Sequence, residues 1–380
     1  MTKRERIEAA VRGRPVDRIP WTMYKSLPPW GTAELELRNM GLSMIYQHFP
    51  IVTESHPNVA VREENRFVLE NMRGKQIILR RFVTPVGEVS TEHSFLINSV
   101  PGPGDLIQKY GSNIEQETLS WVTKHPFEGP SDYETIEYIY RNTHLRPNYE
   151  EFLLTERIIG HEGVIFANVG KSPFQVLLYE LMGMEQCFFE LREHPNKFRA
   201  LYEAVYERQR ERVQLAAESP ALIVWCPDNV TGVLTTPFLF EEFSVPFYNE
   251  MADILHEHGK VYAVHMDGNL APLVNLIGKT RIDVIEAFTP PPMGDLATGE
   301  ARSIWSNKIL WINFPGTLLA AASAAAIEEY TVSLLRSIAP GDRFLIGCTE
   351  NYPIERWEMA FDAIGRALET HAKYPIHSPP

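Results

Sequence analysis

Cysteine is scarce. The chain has three in 380 residues (Cys187, Cys226 and Cys348), widely spaced and odd in number. That excludes a disulfide framework and leads one to expect a reducing, cytoplasmic setting. Basic residues are short too: 36 Lys and Arg against 49 Asp and Glu give a net charge of −13. No basic run reverses the balance locally, which argues against nucleic acid as a partner. No stretch approaches the roughly 18 consecutive apolar residues of a membrane span. The opening MTKRERIEAAVRGRPVDRIPW is charged and amphipathic and lacks the apolar core of a signal peptide. No glycine-rich phosphate loop follows an apolar run, and PGPGD at 101–105 reads as a proline-rich turn. No serine stands in a nucleophile elbow, so acyl transfer by an activated serine has no support.

Apolar residues, by contrast, are ample: 44% hydrophobic against 22% charged is the composition of a globular chain with a large core. In the second half, short apolar runs alternate with amphipathic stretches. ALIVWC (221–226), KVYAVHM (260–266), IDVIEAF (282–288), KILWINF (308–314) and RFLIGC (343–348) read as strands. Helices are expected between them at 236–259, 271–280, near 297–306, at 319–338 and near 353–371. The pattern runs back through GVIFANVG (163–170), with helices at 173–193 and 196–217, to RIPW (18–21) as the opening strand. About eight strands joined by right-handed crossovers predict a (β/α)8 barrel spanning 1–380 as one domain. Residues 60–100 break the rhythm. They alternate apolar and polar around Arg73-Gly74 and Pro85-Val86-Gly87, which predicts a β-meander inserted in the barrel.

In such a barrel the chemistry sits at the C-terminal ends of the strands. Asp228 and Asn229 follow ALIVWC, His265 and Asp267 end KVYAV, Glu286 lies inside DVIEAF, and Cys348 and Glu350 follow RFLIG. His265 and Asp267, two apart, face the same side of an extended chain. Zinc takes nitrogen, sulfur and carboxylate oxygen, and a catalytic zinc keeps one position open. His265, Cys348 and either Asp267 or Glu286 would make such a set. Taken singly, each has an ordinary explanation: a histidine after a strand as a hydrogen-bonded structural residue, a cysteine in LIGC as core filler. Trp21, Tyr24 and Trp30 could line an apolar substrate pocket, or simply pack the core. His256 and His258 sit where a helix ends and suit capping. His161 and Glu162 precede a strand, at the wrong barrel end for chemistry.

The opening helix followed by DRIP resembles the start of uroporphyrinogen decarboxylase-like proteins. HMDGNL, DVIEAFTPPPMGDL and FLIGCTENYP fall where that superfamily carries its strand-end motifs. The resemblance implies the same (β/α)8 barrel. It departs from the true decarboxylases after the first strand, where their arginine-rich segment is replaced by WTMYKSLPPWG, with one lysine. A substrate with many carboxylates needs several cations, so uroporphyrinogen is not expected here. The resemblance to the zinc-dependent methyltransferases of the superfamily, which carry an H-x-C strand and a GC segment, implies His265 and Cys348 as metal ligands. Asp267 stands where those enzymes have their first cysteine, so the third ligand is left open between Asp267 and Glu286. An oxygen ligand makes zinc more Lewis-acidic, which suits an ether oxygen as in methoxylated aromatics. The resemblance thus implies zinc, a small methylated substrate and a separate protein carrying the corrinoid (cobalamin). Asp228, Glu286 and Glu350 are the expected catalytic carboxylates, with Trp21, Tyr24 and Asn229 near the substrate. The alternative is a lyase of the decarboxylase type, acting without metal on a less charged substrate. A homodimer is left open.

Overall fold

The computed structural model describes residues 1–28, 31–70, 73–97 and 121–377. The turn expected at 101–105 and the aromatic Trp30 lie outside the described residues. Two compact units emerge from the chain, 1–52 with 147–170 and 213–380, and 53–146 with 171–212.

The first unit is a closed barrel of eight parallel strands, the expected (β/α)8 architecture. In chain order the strands are β1 (Trp21–Tyr24), β2 (Leu42–Pro50), β9 (Gly163–Asn168), β10 (Ile223–Cys226), β11 (Val261–His265), β12 (Val284–Phe288), β13 (Ile309–Asn313) and β14 (Phe344–Gly347), and β14 closes on β1. Two of these differ from the sequence expectation. β1 starts at Trp21 rather than Arg18, because Pro20 has no N–H to give to a ladder; Ile19 N pairs instead with the carbonyl of Ala372. β2 was not among the expected strands. LSMIYQHFP carries Ser43 and Gln47, both buried, which break the apolar run that marks its neighbours.

Alternation along each strand decides what faces inward. Ile45, Val164, Phe166, Ile223, Trp225, Val261, Ala263, Val284, Ile309, Trp311, Leu345 and Tyr24 form one apolar cluster inside the barrel. The helix Lys3–Val11 adds Ile7, Ala10 and Val11 to that cluster. Its Lys3 and Arg4 bond to Glu162 and to the carbonyl of Gly163, at the start of β9, so it plugs the N-terminal end. A capping box fixes where that helix begins, with Thr2 Oγ1 accepting from Glu5 N at 3.2 Å and Glu5 Oε2 from Thr2 N at 2.8 Å. Fully burying Ile7 and Val11 stabilises this closure by roughly 1.5–3 kcal/mol per side chain. Outside the strands, the helix Trp357–His371 buries Ala360, Phe361, Ile364 and Leu368, the i, i+4 stripe that a barrel-covering helix needs.

The second unit holds the expected meander: β4 (Ala60–Glu70), β5 (Arg73–Thr84), β6 (Gly87–Ile97) and β7 (Trp121–Lys124), all antiparallel. Pro85 and Val86 form the two-residue turn between β5 and β6, where Thr84 pairs with Gly87. β3 (Val52–Ser55) and β8 (His144–Pro147) make a separate two-stranded sheet. Among the described residues, no helix is long and apolar enough to cross a membrane.

Candidate active site at the C-terminal mouth of the barrel

Continuing the interior alternation by one step places His265 above Ala263, Glu286 above Val284, and Trp225 above Ile223. The three strands are adjacent, and His265 and Glu286 are register partners across β11 and β12. Tyr24 joins them from β1.

Glu286 is the centre of the arrangement and has no solvent exposure. Its Oε1 accepts the Tyr24 hydroxyl at 2.8 Å; its Oε2 accepts Trp225 Nε1 at 3.0 Å and meets His265 Nδ1 at 2.7 Å. An ionised carboxylate can only accept, so His265 Nδ1 carries a proton towards it. Tyr24 lies 3.3 Å from the same Nδ1 but has one proton to give, and it goes to Glu286. His265 therefore turns its other nitrogen, Nε2, away from this cluster, to within 3.6 Å of Asp267 Oδ2. Burial disfavours the imidazolium, but the charge of Glu286 and the hydrogen bonds to Asp267 and Glu286 outweigh it and push His265 up to about 10. Tyr24 is held well above its ordinary range by burial and by the charge of Glu286.

A bulge follows directly. Between Glu286 and Phe288 the pairing of β12 with β13 slips by one residue, and Ala287 takes φ 57°. A left-handed non-glycine residue is uncommon and costs free energy. Glu286 keeps the inward place that alternation gives it, while Phe288, which alternation alone would also turn inward, packs outside against Trp305, with ring centroids 6.0 Å apart.

Glu350 reaches the same mouth from the loop after β14. Burial raises its carboxyl, and so does the charge of Asp267; a bond to Asn313 and the charge of His265 act the other way. His265, Asp267, Glu286, Glu350 and Tyr24 thus come together. The aromatic floor beneath them is Trp225, Phe166 and Trp311, with the Phe166 and Trp311 rings 5.2 Å apart at 90°.

Other expected residues are placed elsewhere. Trp21 lies on the opposite face of β1 from Tyr24 and packs on Phe361 of the covering helix, centroids 6.4 Å apart. Asp228 is fully buried and accepts the Tyr248 hydroxyl at 2.5 Å, from the helix Val245–Glu257. Asn229 is exposed. Cys348 follows Ile346 in alternation, not the inward Leu345. Its thiol points at the Glu350 carbonyl, 3.7 Å away, and burial pushes it up to about 12. His258 Nδ1 meets the carbonyl of Ile254 at 3.0 Å, as a cap would, whereas His256 pairs with Asp283 at 2.9 Å and Glu162 with Lys3.

Whether a metal fits follows from these placements. Nε2 and Oδ2 of His265 and Asp267, at 3.6 Å, are spaced much as two ligands of one tetrahedral zinc, which sit roughly 3.3 Å apart at ordinary bond lengths. Glu286 does not fit as a third ligand, because it lies on the Nδ1 side of the ring, its oxygens taken up with Tyr24, Trp225 and His265, while the pair meets through Nε2. Among the described residues, no three His, Cys, Asp or Glu side chains form a group able to hold a metal ion. The pair fits; the third ligand is not identified, and Cys348 is not turned towards the pair.

The family described as uroporphyrinogen decarboxylase matches residues 109–362, well over half of the chain. The chain belongs to the uroporphyrinogen decarboxylase family. Among solved structures, this family member is similar to a methyltransferase from Methanosarcina mazei, with a TM-score of 0.56 and 13% identity over 96% of this chain and 99% of that one. At that identity the likeness speaks for the fold. A pneumococcal virulence factor studied for N-glycan hydrolysis (TM-score 0.38, 8% identity, 97% and 87% covered) and a D-tagatose 3-epimerase-like protein (0.30, 13%, 59% and 83%) are too distant to carry an argument. A search of curated protein sequences returns no match.

Neither Trp225 nor Asn313 was singled out from sequence, although both touch the site carboxylates. Trp225 sits within an apolar run that reads as core, and only the closure of the barrel shows that its Nε1 meets Glu286. Its sole sequence signal is its place one residue before the end of a strand.

Proposed function

We propose that this barrel is a methyltransferase that removes a methyl group from a small methylated compound, a methoxylated aromatic, and passes it to the cobalt of a separate corrinoid protein. The observation that carries the reading is His265 Nε2, anchored from behind by Glu286 and facing Asp267 at the mouth. Cleaving an aryl methyl ether leaves negative charge on the oxygen, and an imidazolium or a metal ion at the mouth would stabilise it where it develops. The Nε2 proton of the imidazolium can pass to that oxygen, and Glu350, with its carboxyl raised, stands beside Asp267 as a second proton source. Tyr24, Phe166, Trp225 and Trp311 are buried in the interior cluster and form the base on which the imidazole and carboxylates rest. The likeness to the Methanosarcina mazei methyltransferase supports methyl transfer as the reaction class.

Zinc belongs to this reading: His265 and Asp267 would hold it, and when bound it supplies a Lewis acid for the ether oxygen. Zinc and the Nε2 proton are alternatives at one atom: with zinc held there, uptake would release that proton and Glu350 would remain as the proton source. The mouth also bears on the substrate. Asp267 and Glu286 already engage the imidazole, which leaves it poorly suited to bind a polycarboxylate such as uroporphyrinogen. The family match keeps one rival, a lyase of the decarboxylase type that acts without metal on a less charged substrate.

The test mixes the protein with a reduced corrinoid protein and methoxylated aromatics and follows the cobalt absorption. The expected result is conversion to methyl-cobalt, with zinc in the purified protein, and His265→Ala slowing the reaction by about 100-fold or more, the scale of a lost acid–base or metal-holding group. Full turnover in chelator by zinc-free protein would remove the metal from the account. No methyl-cobalt with any such donor would remove the reaction itself.

A further inference from the structure

Glu286 has the look of a ligand in sequence and another role in three dimensions. Its carboxylate collects donors from three separate strands: Tyr24 of β1, Trp225 of β10 and His265 of β11. A residue meant to bind what enters the mouth would keep an oxygen free for it. Glu286 keeps none, and it sits behind the imidazole, on the Nδ1 side. Regular register with His265 on β11 puts it there.

We infer that Glu286 is a positioning residue: it holds the Nδ1 proton of His265, fixes the plane of the ring and so aims Nε2 at Asp267 and the mouth. Tyr24 and Trp225 in turn hold Glu286. The physical reason is general. A histidine that must present one nitrogen gains from a carboxylate on the other, which sets the tautomer and the ring orientation and strengthens the presented atom as a donor of electrons. Of the two acids that compete in sequence for a role beside His265, the geometry thus separates the work: Glu286 orients, and Asp267 meets the substrate or ion. Tyr24 has a double duty, since its hydroxyl secures Glu286 while its ring packs edge-on against Trp225, centroids 6.3 Å apart. The inference rests on reading this mouth as the active site, not on the identity of the methyl donor.

The experiment is proton and nitrogen NMR of the full-length protein labelled with 15N-histidine, with the His265 signals identified by their loss in His265→Gln. Wild type is expected to show a slowly exchanging, downfield Nδ1 proton. Glu286→Gln should move that signal upfield and speed its exchange, because an amide is a weaker acceptor than a carboxylate. Tyr24→Phe should move it further downfield, because Glu286, with one donor fewer, leans harder on the imidazole. These opposite shifts separate positioning from mere packing, which would lower Tm in both variants and leave the signal where it is. An Nδ1 signal unmoved in both overturns the inference. Should Glu286→Gln fail to fold, Tyr24→Phe decides alone: a downfield shift supports it, and no shift overturns it. In methyl transfer, Glu286→Gln should lower kcat by about 10–100-fold with little change in KM. A protein with the expected NMR shifts but no methyl transfer sinks the proposed reaction and leaves the positioning role standing.

Discussion

Ala287 is the residue on which the site geometry turns most sharply. Its φ of 57° suits glycine, and a residue branched at Cβ tolerates it worst. Ala287→Gly is therefore expected to leave Tm within a few degrees of wild type, relief of strain offsetting the added entropy of the unfolded chain. Ala287→Val should cost about 1–3 kcal/mol and, by dislodging Glu286, also slow turnover. Thermal melts together with single-turnover rates check both; a Val variant as stable and as fast as wild type would show that the bulge has no such role. At this scale the sequence was readable where chemistry follows from spacing alone. His265 and Asp267 share a side because they are two apart at a strand end. It was less readable where a side chain's role depends on what comes near it. Glu286 reads as a ligand until Tyr24, Trp225 and His265 occupy its oxygens. Cys348 reads as one until alternation carries its thiol away from the inward face.

At the level of strands and helices, close approach of backbone explains what side-chain patterns do not. A Cβ on Gly347 of β14 would stand 2.7 Å from the Ile312 carbonyl and 3.1 Å from Trp311 Nε1. That indole nitrogen donates to Thr22 Oγ1 at 2.8 Å, a bond that ties β13 to β1 within the barrel wall. Gly347→Ala is thus expected to destabilise the barrel by about 1–3 kcal/mol, as overpacking of a close-packed interior does. Chemical denaturation at constant m would register it; an unchanged midpoint would mean that β14 yields more freely than this packing implies. The same level marks where sequence reading succeeded and where it slipped. Continuous apolar strands such as VIEAF and ILWIN announce themselves, because both faces are covered. β2 escaped notice because its buried Ser43 and Gln47 take polar positions in the wall, which nothing local to LSMIYQHFP reveals. The bulge in β12 escaped for a related reason: slippage of one residue is set by the neighbouring strand, not by the strand itself.

Across the whole barrel, one end is sealed and the other bears the reactive groups. The helix Lys3–Val11 sends Ile7, Ala10 and Val11 into the interior cluster and anchors to the start of β9. The opposite, C-terminal end gathers an imidazole and three carboxylates above an aromatic floor, in a family known by name for decarboxylation. Two readings of this mouth therefore compete, and they differ in the fate of a single carbon. The direct measurement is 13C NMR of the protein incubated with a reduced corrinoid protein and a donor labelled in its methoxy carbon. The account predicts that the label moves to cobalt as a methyl group, leaving the free phenol, and that His265→Ala abolishes the transfer. A label that stays on the donor, while a carboxylated analogue loses carbon dioxide in the same preparation, would contradict it.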